Sequence, residues 1–597
     1  MSAKPSLYAE LKRRNVYRAA VFYAASAWLL VQVATQVFPF FHIAEWVVRW
    51  IVIAAIIGFP FWIAFAWFYE FTPEGIKRES EIDPTGSIAA HSGKKLDRWI
   101  IAIMAVAIVL LLTNTFVWHK GAGLGTEADS APVAEHSIAV LPFVNMSSDK
   151  EQEYFSDGIS EELLNLLAKI PQLQVTARTS SFSFKGKEVA IPEIARTLHV
   201  AHVLEGSVRK SGNSVRITAQ LIRAGTDAQL WSRTYDRKLD DIFAIQDEIA
   251  ADVVDNLKVT LLGDAVAKIE TGGTRSPAAF DAYLRAAGAY RRFGPVNLAA
   301  GGRNKDGLQT AIDAYTQAIG VDSGYGLAYA GRSLAFADFA RALVSGPQVG
   351  DYLDKAQIDA RKSIALAPEL ADGHLALANF FVGSLEMTGA FQEYERALAL
   401  APGDARVLRE YGAFVLLIGR TEASLAAARR LLILDPLNPT NHFGLGVSLT
   451  FAKRYAEAVR AFSDAKALGQ DDVSVNMWLG ITYYQSGDFE NARATCAQAG
   501  EVNGPWCLAM VYDRLGRHDE AQAMLAKLQA LAGDQFAEGY ADIYAQWGDT
   551  ARALDWLETA MRNRDPYLAY TKVNFFFDPL RKEPRYQAIE RALKFPD

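Results

Sequence analysis

The chain has 597 residues, 51% hydrophobic and 22% charged, proportions that exclude a disordered or collagen-like polymer and allow several folded domains. Its net charge of −7 is uneven: residues 1–98 carry 11 Lys/Arg against 8 Asp/Glu, which leaves −10 on the rest and no basic face for nucleic acid. Two cysteines allow neither a disulfide framework nor a cysteine-rich zinc site.

Three apolar stretches open the chain, near 16–38, 46–68 and 99–118. Each has about the 20 residues that a helix needs to cross a bilayer core. The third, WIIAIMAVAIVLLLTNTFVW, carries no charge, whereas the first holds Gln32 and Gln36 and the second Arg49 and Pro60. A pair of buried soluble helices is the competing account of the first two. Trp46, Trp50, Trp67, Trp99 and Trp118 stand at segment ends, where indoles favour a lipid–water boundary. Lys4, Lys12, Arg13, Arg14 and Arg18 flank the first stretch, and Lys77, Arg78, Lys94, Lys95 and Arg98 lie between the second and third. The positive-inside rule then expects residues 1–118 to be a three-helix membrane anchor with a cytoplasmic N-terminus and residues 119–597 outside. No small-residue cleavage site follows the first stretch cleanly, so a retained anchor is expected. Residues 119–135 read as a linker. Their GAGLG lacks the Lys-Ser/Thr and the preceding strand of a nucleotide loop.

Residues 136–262 read as an α+β layer in the order β-α-β-α-β-β-β-α. Ser137–Phe143 is a buried strand, and Asp157–Ile170 follows with helical spacing of its apolar residues. Leu173–Arg178 is a short strand and Ile191–Val200 a helix with Pro192 in its first turn. Three strands follow, His202–Lys210, Ser214–Arg223 and Gln229–Lys238, the first two joined by a turn at Gly212-Asn213. Asp241–Lys258 closes the layer as an amphipathic helix. The acidic turn MSSDKEQEYFSDG contains carboxylates after a strand, a common place for chemistry. Asp149 capping a turn, Ser156 or Asp157 capping a helix, and Glu161 and Glu162 near its start account for most of them without catalysis. There is no HExxH, GxSxG or CxxC, and His199 and His202 straddle a helix–strand junction. No catalytic residue, cofactor or metal site is expected.

SIAVLPFVNMSSDKEQEYFSDGISEELLNLLAKIPQLQVTARTSSFSFKGK, with IARTLHVAHVLEGSVRKSGNSVRITAQLIRAGTDAQLWSRTYDRKLDDIFAIQDEIA, resembles the TolB-type amino-terminal-like domain of bacterial envelope and signalling proteins. LKRRNVYRAAVFYAASAWLLVQVA and FAWFYEFTPEGIKRE resemble segments that precede such domains. Related chains often begin with a nucleotide cyclase or winged-helix domain; with only about 15 residues before its first apolar stretch this sequence departs from that pattern, so a built-in cyclase or transcription output is not expected. The resemblance implies a bacterial inner-membrane protein facing the periplasm.

Residues 278–565 carry a repeat. Pro368, Pro402 and Pro436 are 34 residues apart, and Gln470 continues the series. That is the tetratricopeptide period, one helix–turn–helix per repeat. Small and large positions recur in register: Ala378, Ala390, Tyr394 and Ala397; then Gly412 and Val415; then Gly446, Ala458 and Phe462; then Gly480, Ala492 and Cys496. These residues resemble the tetratricopeptide family, with about eight repeats expected and residues 566–597 closing them as a capping helix.

Such arrays bind peptides along the first-helix face, which the resemblance maps to Asn379, Arg406, Arg409, Phe443, Phe451, Met477, Tyr484, Gln485, Trp506 and Arg514. For each aromatic the alternative is packing between repeats. Leu375 and Ala413 stand where a carboxylate clamp needs polar residues, so a chaperone C-terminus is not the expected ligand. An apolar segment flanked by acid, met by Arg406 and Arg409, fits better. Cys496 and Cys507 lie on either side of the Gly500–Gly504 turn, either bonded or as two buried thiols. The fold class expected is thus a multi-domain chain: a three-helix membrane anchor, an α+β TolB-like domain and an all-α solenoid. The function expected is a non-enzymatic, membrane-anchored periplasmic scaffold or sensor that gathers envelope proteins or peptides. The alternative is a regulatory subunit passing an envelope signal to a separate cytoplasmic enzyme such as an adenylate cyclase.

Overall fold

A computed structural model describes residues 23, 26–27, 31, 54–55, 58–62, 69–72, 75–78, 133–149, 152–170, 172–257, 273–293, 305–342 and 347–596. Residues 1–131 and 132–597 form two separate compact units. In the first, Tyr69–Thr72 (β1) and Gly75–Arg78 (β2) pair as an antiparallel hairpin, and the Tyr23 hydroxyl donates to the carbonyl of Ala55 at 2.9 Å.

The expected membrane anchor is corrected here. Among the described residues no helix is long and apolar enough to cross a membrane. The stretch at 99–118 lies wholly outside the described residues, and those at 16–38 and 46–68 lie mostly outside them. Apolar text of this length is shared by spans and by buried soluble helices, so composition alone overreached. The multi-pass inner-membrane placement, with a cytoplasmic N-terminus and residues 119–597 periplasmic, rested on those stretches and falls with them.

In the second unit the run SIAV forms β3 (Ser137–Val140), with all four residues buried. Burial on both faces suits a central parallel strand. β3 pairs in parallel with β5 (Gln174–Val175) on one side and with β6 (His202–Ser211) on the other. The strand breaks after Val140 and resumes as β4 (Val144–Asn145), still beside β6. β6, β7 (Ser214–Arg223) and β8 (Ala228–Lys238) form an antiparallel meander. Gly212, at φ 57°, takes the left-handed position that its turn requires. Helices α1 (Glu153–Ala168) and α4 (Ile242–Asn256) cover one face, packing Ile159, Leu163, Ile245, Ile249 and Val253 on Val215, Ile217 and Leu221. A five-residue helix α2 (Arg178–Phe182) and α3 (Ile191–Leu198) follow β5, and α3 covers the other face with Ile194 and Leu198. Two local expectations are revised. Helix α1 begins at Glu153, so Ser156 and Asp157 lie inside it and do not cap it, and α2 occupies the end of the strand expected at 173–178.

Eight antiparallel helix pairs follow among the described residues. They are α5/α6 (Pro277–Phe293, Lys305–Val321), α7/α8 (Gly326–Ala342, Pro347–Leu366), α9/α10 (Ala371–Gly383, Met387–Leu400) and α11/α12 (Ala405–Leu417, Thr421–Leu434). Then come α13/α14 (Pro439–Phe451, Tyr455–Ala467), α15/α16 (Asp472–Ser486, Phe489–Cys496), α17/α18 (Asn503–Arg514, His518–Ala532) and α19/α20 (Ala537–Gln546, Thr550–Asn563). Small residues set the spacing within a pair: a Cβ on Gly446 would sit 2.6 Å from the Phe462 ring, so only glycine lets α13 and α14 approach this closely. Ala390, Ala397, Ala458, Ala465 and Ala492 are fully buried. The first helix of the array also belongs to the α/β core, because Phe280 and Leu284 of α5 pack in the cluster of α1 and α4.

After α20 the chain does not stop at a cap. Asp565 accepts from the amide of Tyr567 at 3.0 Å and starts a short 3-10 turn, Asn574 does the same for Phe576 at 2.9 Å, and Pro584–Ala592 forms α21. The tail reaches back to α10, where the amide and the hydroxyl of Thr388 donate to the carbonyl of Lys594 at 3.1 and 2.7 Å. Residues 566–596 thus form a strap linking the last pair of helices to the third.

Candidate partner-binding site

Three successive first helices each bring an aromatic to the strap, Phe451 and Tyr484 from their C-terminal ends and Trp506 from its N-terminal turn. Phe451 at the end of α13 meets Phe575 at 5.4 Å between ring centroids. Tyr484 of α15 meets Phe576 edge-on at 5.7 Å, and Trp506 of α17 meets the same ring edge-on at 5.6 Å. These separations and angles suit the quadrupoles of the rings. A polar ladder runs alongside. The Tyr484 hydroxyl donates to Gln546 Oε1 at 2.8 Å and accepts from Arg514 Nε at 3.0 Å, while Gln546 Nε2 donates to the carbonyl of Phe576 at 2.7 Å. Met477 packs against the same cluster. Four of the residues expected in a groove, Phe451, Tyr484, Trp506 and Arg514, are therefore brought together around the 3-10 turn Phe575–Leu580 of the chain itself.

The others are placed elsewhere. Phe443 packs edge-on to Phe462 at 5.7 Å, between helices of one pair. The Asn379 amide donates to the Leu375 carbonyl of its own helix at 3.0 Å, and Gln485 is half-buried on α15. Arg406 forms ion pairs with Asp372 and with Asp404, the latter at 3.6 Å, and so bridges two adjacent turns. Arg409 donates to Asn441 Oδ1 at 3.2 Å and lies 3.8 Å from Asp435. Both arginines have carboxylate neighbours within the chain. Cys496 and Cys507 face each other with Cα atoms 5.7 Å apart, inside the range a disulfide spans.

Charged groups concentrate where the α/β module meets the array. Glu161 of α1 accepts from Arg178 at 3.2 Å and from Arg291 of α5 at 2.8 Å. Beside it, burial and then the Glu161 charge push the Glu162 carboxyl up to about 7. At the root of the strap, Asn574 Nδ2 donates to Glu538 Oε1 at 2.9 Å and to Asp542 Oδ1 at 2.8 Å. Both carboxyls are buried, and desolvation, with the Asp565 charge and, for Glu538, that of Asp542, holds them well above the usual range. No group of His, Cys, Asp and Glu among the described residues is arranged to hold a metal ion.

Sequence reasoning missed Asn574, Thr388 and Lys594, whose meeting depends on how the tail folds back. It also missed Ser180 and Asp435. The amide and hydroxyl of Ser180 donate to Asp435 Oδ1 at 2.9 and 2.7 Å, joining α2 to the turn between α12 and α13.

Comparison with known proteins agrees with the repeat geometry. Residues 508–535, spanning most of α17 and all of α18, match the tetratricopeptide repeat family model. The chain is 46% identical over 164 residues to "Putative adenylate cyclase 3" of Rhizobium meliloti (strain 1021), a match covering 28% of this chain and 28% of that protein. It is 31% identical over 144 residues to the type IV pilus assembly protein PilF of Pseudomonas aeruginosa, covering 24% of this chain and 56% of that one. The chain therefore spans about a quarter and about half of these two relatives. Among solved structures, Pseudomonas aeruginosa PilF superposes with a TM-score of 0.29 at 25% identity, covering 36% of this chain and 93% of that one. A tetratricopeptide repeat protein from Parabacteroides merdae gives 0.31 at 15% identity, covering 38% and 93%. The chain carries tetratricopeptide repeats, a fold that serves protein–protein interaction.

Proposed function

We propose that this protein is a scaffold that holds polypeptide partners on the first-helix face of its array, with residues 136–262 as a TolB-type second docking body. The observation that supports this most is the aromatic set of Phe451, Tyr484 and Trp506, because it already cradles a piece of polypeptide, the 3-10 turn Phe575–Leu580. The surface has the chemistry for aromatic side chains beside an acid, with Arg514 and Gln546 supplying polar contacts. A partner would take up the part of this face next to the strap, around Met477 and Gln485. Photo-crosslinking residues placed there are expected to join partner proteins, while one at exposed Asp464 on the outer helix α14 is not. Adducts only from position 464 would reject this face.

A second reading draws on the likeness to "Putative adenylate cyclase 3": the protein is an accessory to a separate nucleotide cyclase. Co-purification with a cyclase, and a changed cyclic-nucleotide level when this gene product is removed, would favour it over a general scaffold.

We also propose that Cys496 and Cys507 are bonded. The bond would tie α16 to α17 and contribute about 2–4 kcal/mol. Denatured, unreduced protein is expected to show no thiol available to an alkylating reagent, and two alkylated cysteines would exclude the bond.

A further inference from the structure

The α/β module touches the array in two chemically different ways. At α5 the contact is core: Phe280 and Leu284 lie in the cluster of the module, and a Cβ on Gly158 of α1 would sit 2.6 Å from Leu284. At the turn between α12 and α13, three pairs further on, the contact is mostly polar and centres on one short segment, with Leu437 also resting on the apolar cluster of α3. The Ala177 amide donates to the Leu434 carbonyl at 2.7 Å. Ser180 gives both its amide and its hydroxyl to Asp435, and the Leu437 amide donates to the Ser180 hydroxyl oxygen at 2.9 Å. Asn438 donates to Asp435 Oδ2 at 2.7 Å and lies 3.4 Å from the Thr179 hydroxyl. Asp435 is fully buried here, with Arg409 as its nearest cation.

The carboxylate is particular to this repeat. The residues in register with Asp435, at 34-residue steps, are Ala367, Ala401 and Gly469, none of which has a side chain that can accept a hydrogen bond. Below the polar contact runs an apolar strip of Ala405, Leu408, Leu431 and Leu434, covered by Ala177. A segment held by backbone and hydroxyl donors over a small apolar strip resembles a bound peptide more than a packed core. Each such bond has a net worth of about 1 kcal/mol, well below the cost of parting two apolar cores.

We propose that Ala177–Ser181 is an internal ligand, clasped reversibly by the turn Leu434–Asn438, and that its release frees the leucine strip while the α1–α5 core keeps the module tethered. The clasp accepts a peptide with a small residue three positions before a serine whose amide and hydroxyl are both free. This proposal is independent of the aromatic row and would stand if partners bound elsewhere.

The test uses the full chain and a labelled synthetic peptide of residues 175–187. Ser180→Ala weakens the internal ligand and leaves the receptor turn intact, so that chain is expected to bind the peptide at least about tenfold more tightly than wild type. Asp435→Asn damages the receptor, so that chain is expected to bind no better than wild type. Equal binding by the two variants, or no gain for Ser180→Ala, would overturn the clasp. Hydrogen exchange of the unaltered chain gives a second reading that needs no variant. Amides of Ala177 and Ser180 are expected to exchange much faster than those of β6, with α1 remaining protected. Exchange of all three regions at one common rate would mean that the segment is simply part of the core, and the proposal would fail.

Discussion

Phe576→Ala is expected to destabilise the C-terminal half of the array by about 3–5 kcal/mol, the range for a buried phenylalanine reduced to alanine. Phe576 is 4% exposed and contacts three other rings, Tyr484, Trp506 and Phe575. Its removal leaves a cavity between the strap and the first helices that rigid helix pairs cannot collapse to fill. Phe576→Leu keeps most of the volume and is expected to cost less than half as much. The loss is expected to be local. Hydrogen exchange should quicken along α13, α15 and the strap, with the α/β sheet unaffected, since repeat stability is a sum of neighbour terms. A chain that tolerates Phe576→Ala with unchanged exchange at Phe451 and Tyr484 would show that the strap does not lie there.

The second large effect is on pH dependence. Glu538 is 7% exposed and Asp542 2%, and the groups that face them are Asp565, Asn574, Trp506 and Tyr567. No cation is among these neighbours. Both carboxyls are raised in the folded chain, so folding takes up protons that the unfolded chain would release. Their contribution to stability is complete below the ordinary carboxylate range near about 4, and is lost as pH rises through the raised folded values. Each proton held only in the folded state lowers stability by about 1.4 kcal/mol per pH unit over that interval. Unfolding of the last two pairs is therefore expected to become easier from acid toward alkaline pH. Glu538→Gln with Asp542→Asn keeps an oxygen for Asn574 to donate to and removes the titration. That variant should be flatter with pH and more stable at the alkaline end. An identical pH slope in the variant and the parent would mean that these carboxyls do not hold protons.

How much of this was legible in the sequence varies with the range of the contact. The 34-residue step of Pro368, Pro402 and Pro436 reports a local, repeated geometry; of the residues counted onto the first-helix face from it, Phe451, Tyr484 and Trp506 lie against the strap rings Phe575 and Phe576. The strands of the meander and their glycine turn were equally plain, because alternation and turn chemistry act over a few residues. The boundary of α1 falls four residues earlier than expected: Ser156 and Asp157 offer good caps, yet the helix starts before them with no side-chain cap at all. Thr388 and Lys594 are 206 residues apart, and no local pattern announces that they meet. The partners of Arg406 and Arg409 were hidden for the same reason. Asp435 is an intermediate case. It breaks a series of alanine and glycine that the register makes visible, but only the fold shows that Ser180 is what it holds. The apolar stretches near the N-terminus mark the opposite failure, where length and hydropathy suggested a membrane anchor that no helix among the described residues supports.

The central claim is that the aromatic row of the array is occupied by the chain's own C-terminal strap. A photo-reactive benzophenone side chain at position 575, half-buried beside Phe451, tests it most directly. Irradiation of the dilute, purified protein followed by peptide mapping is expected to give crosslinks within one chain to α13 or α15. Adducts confined to a second chain, or none to either helix, would contradict it.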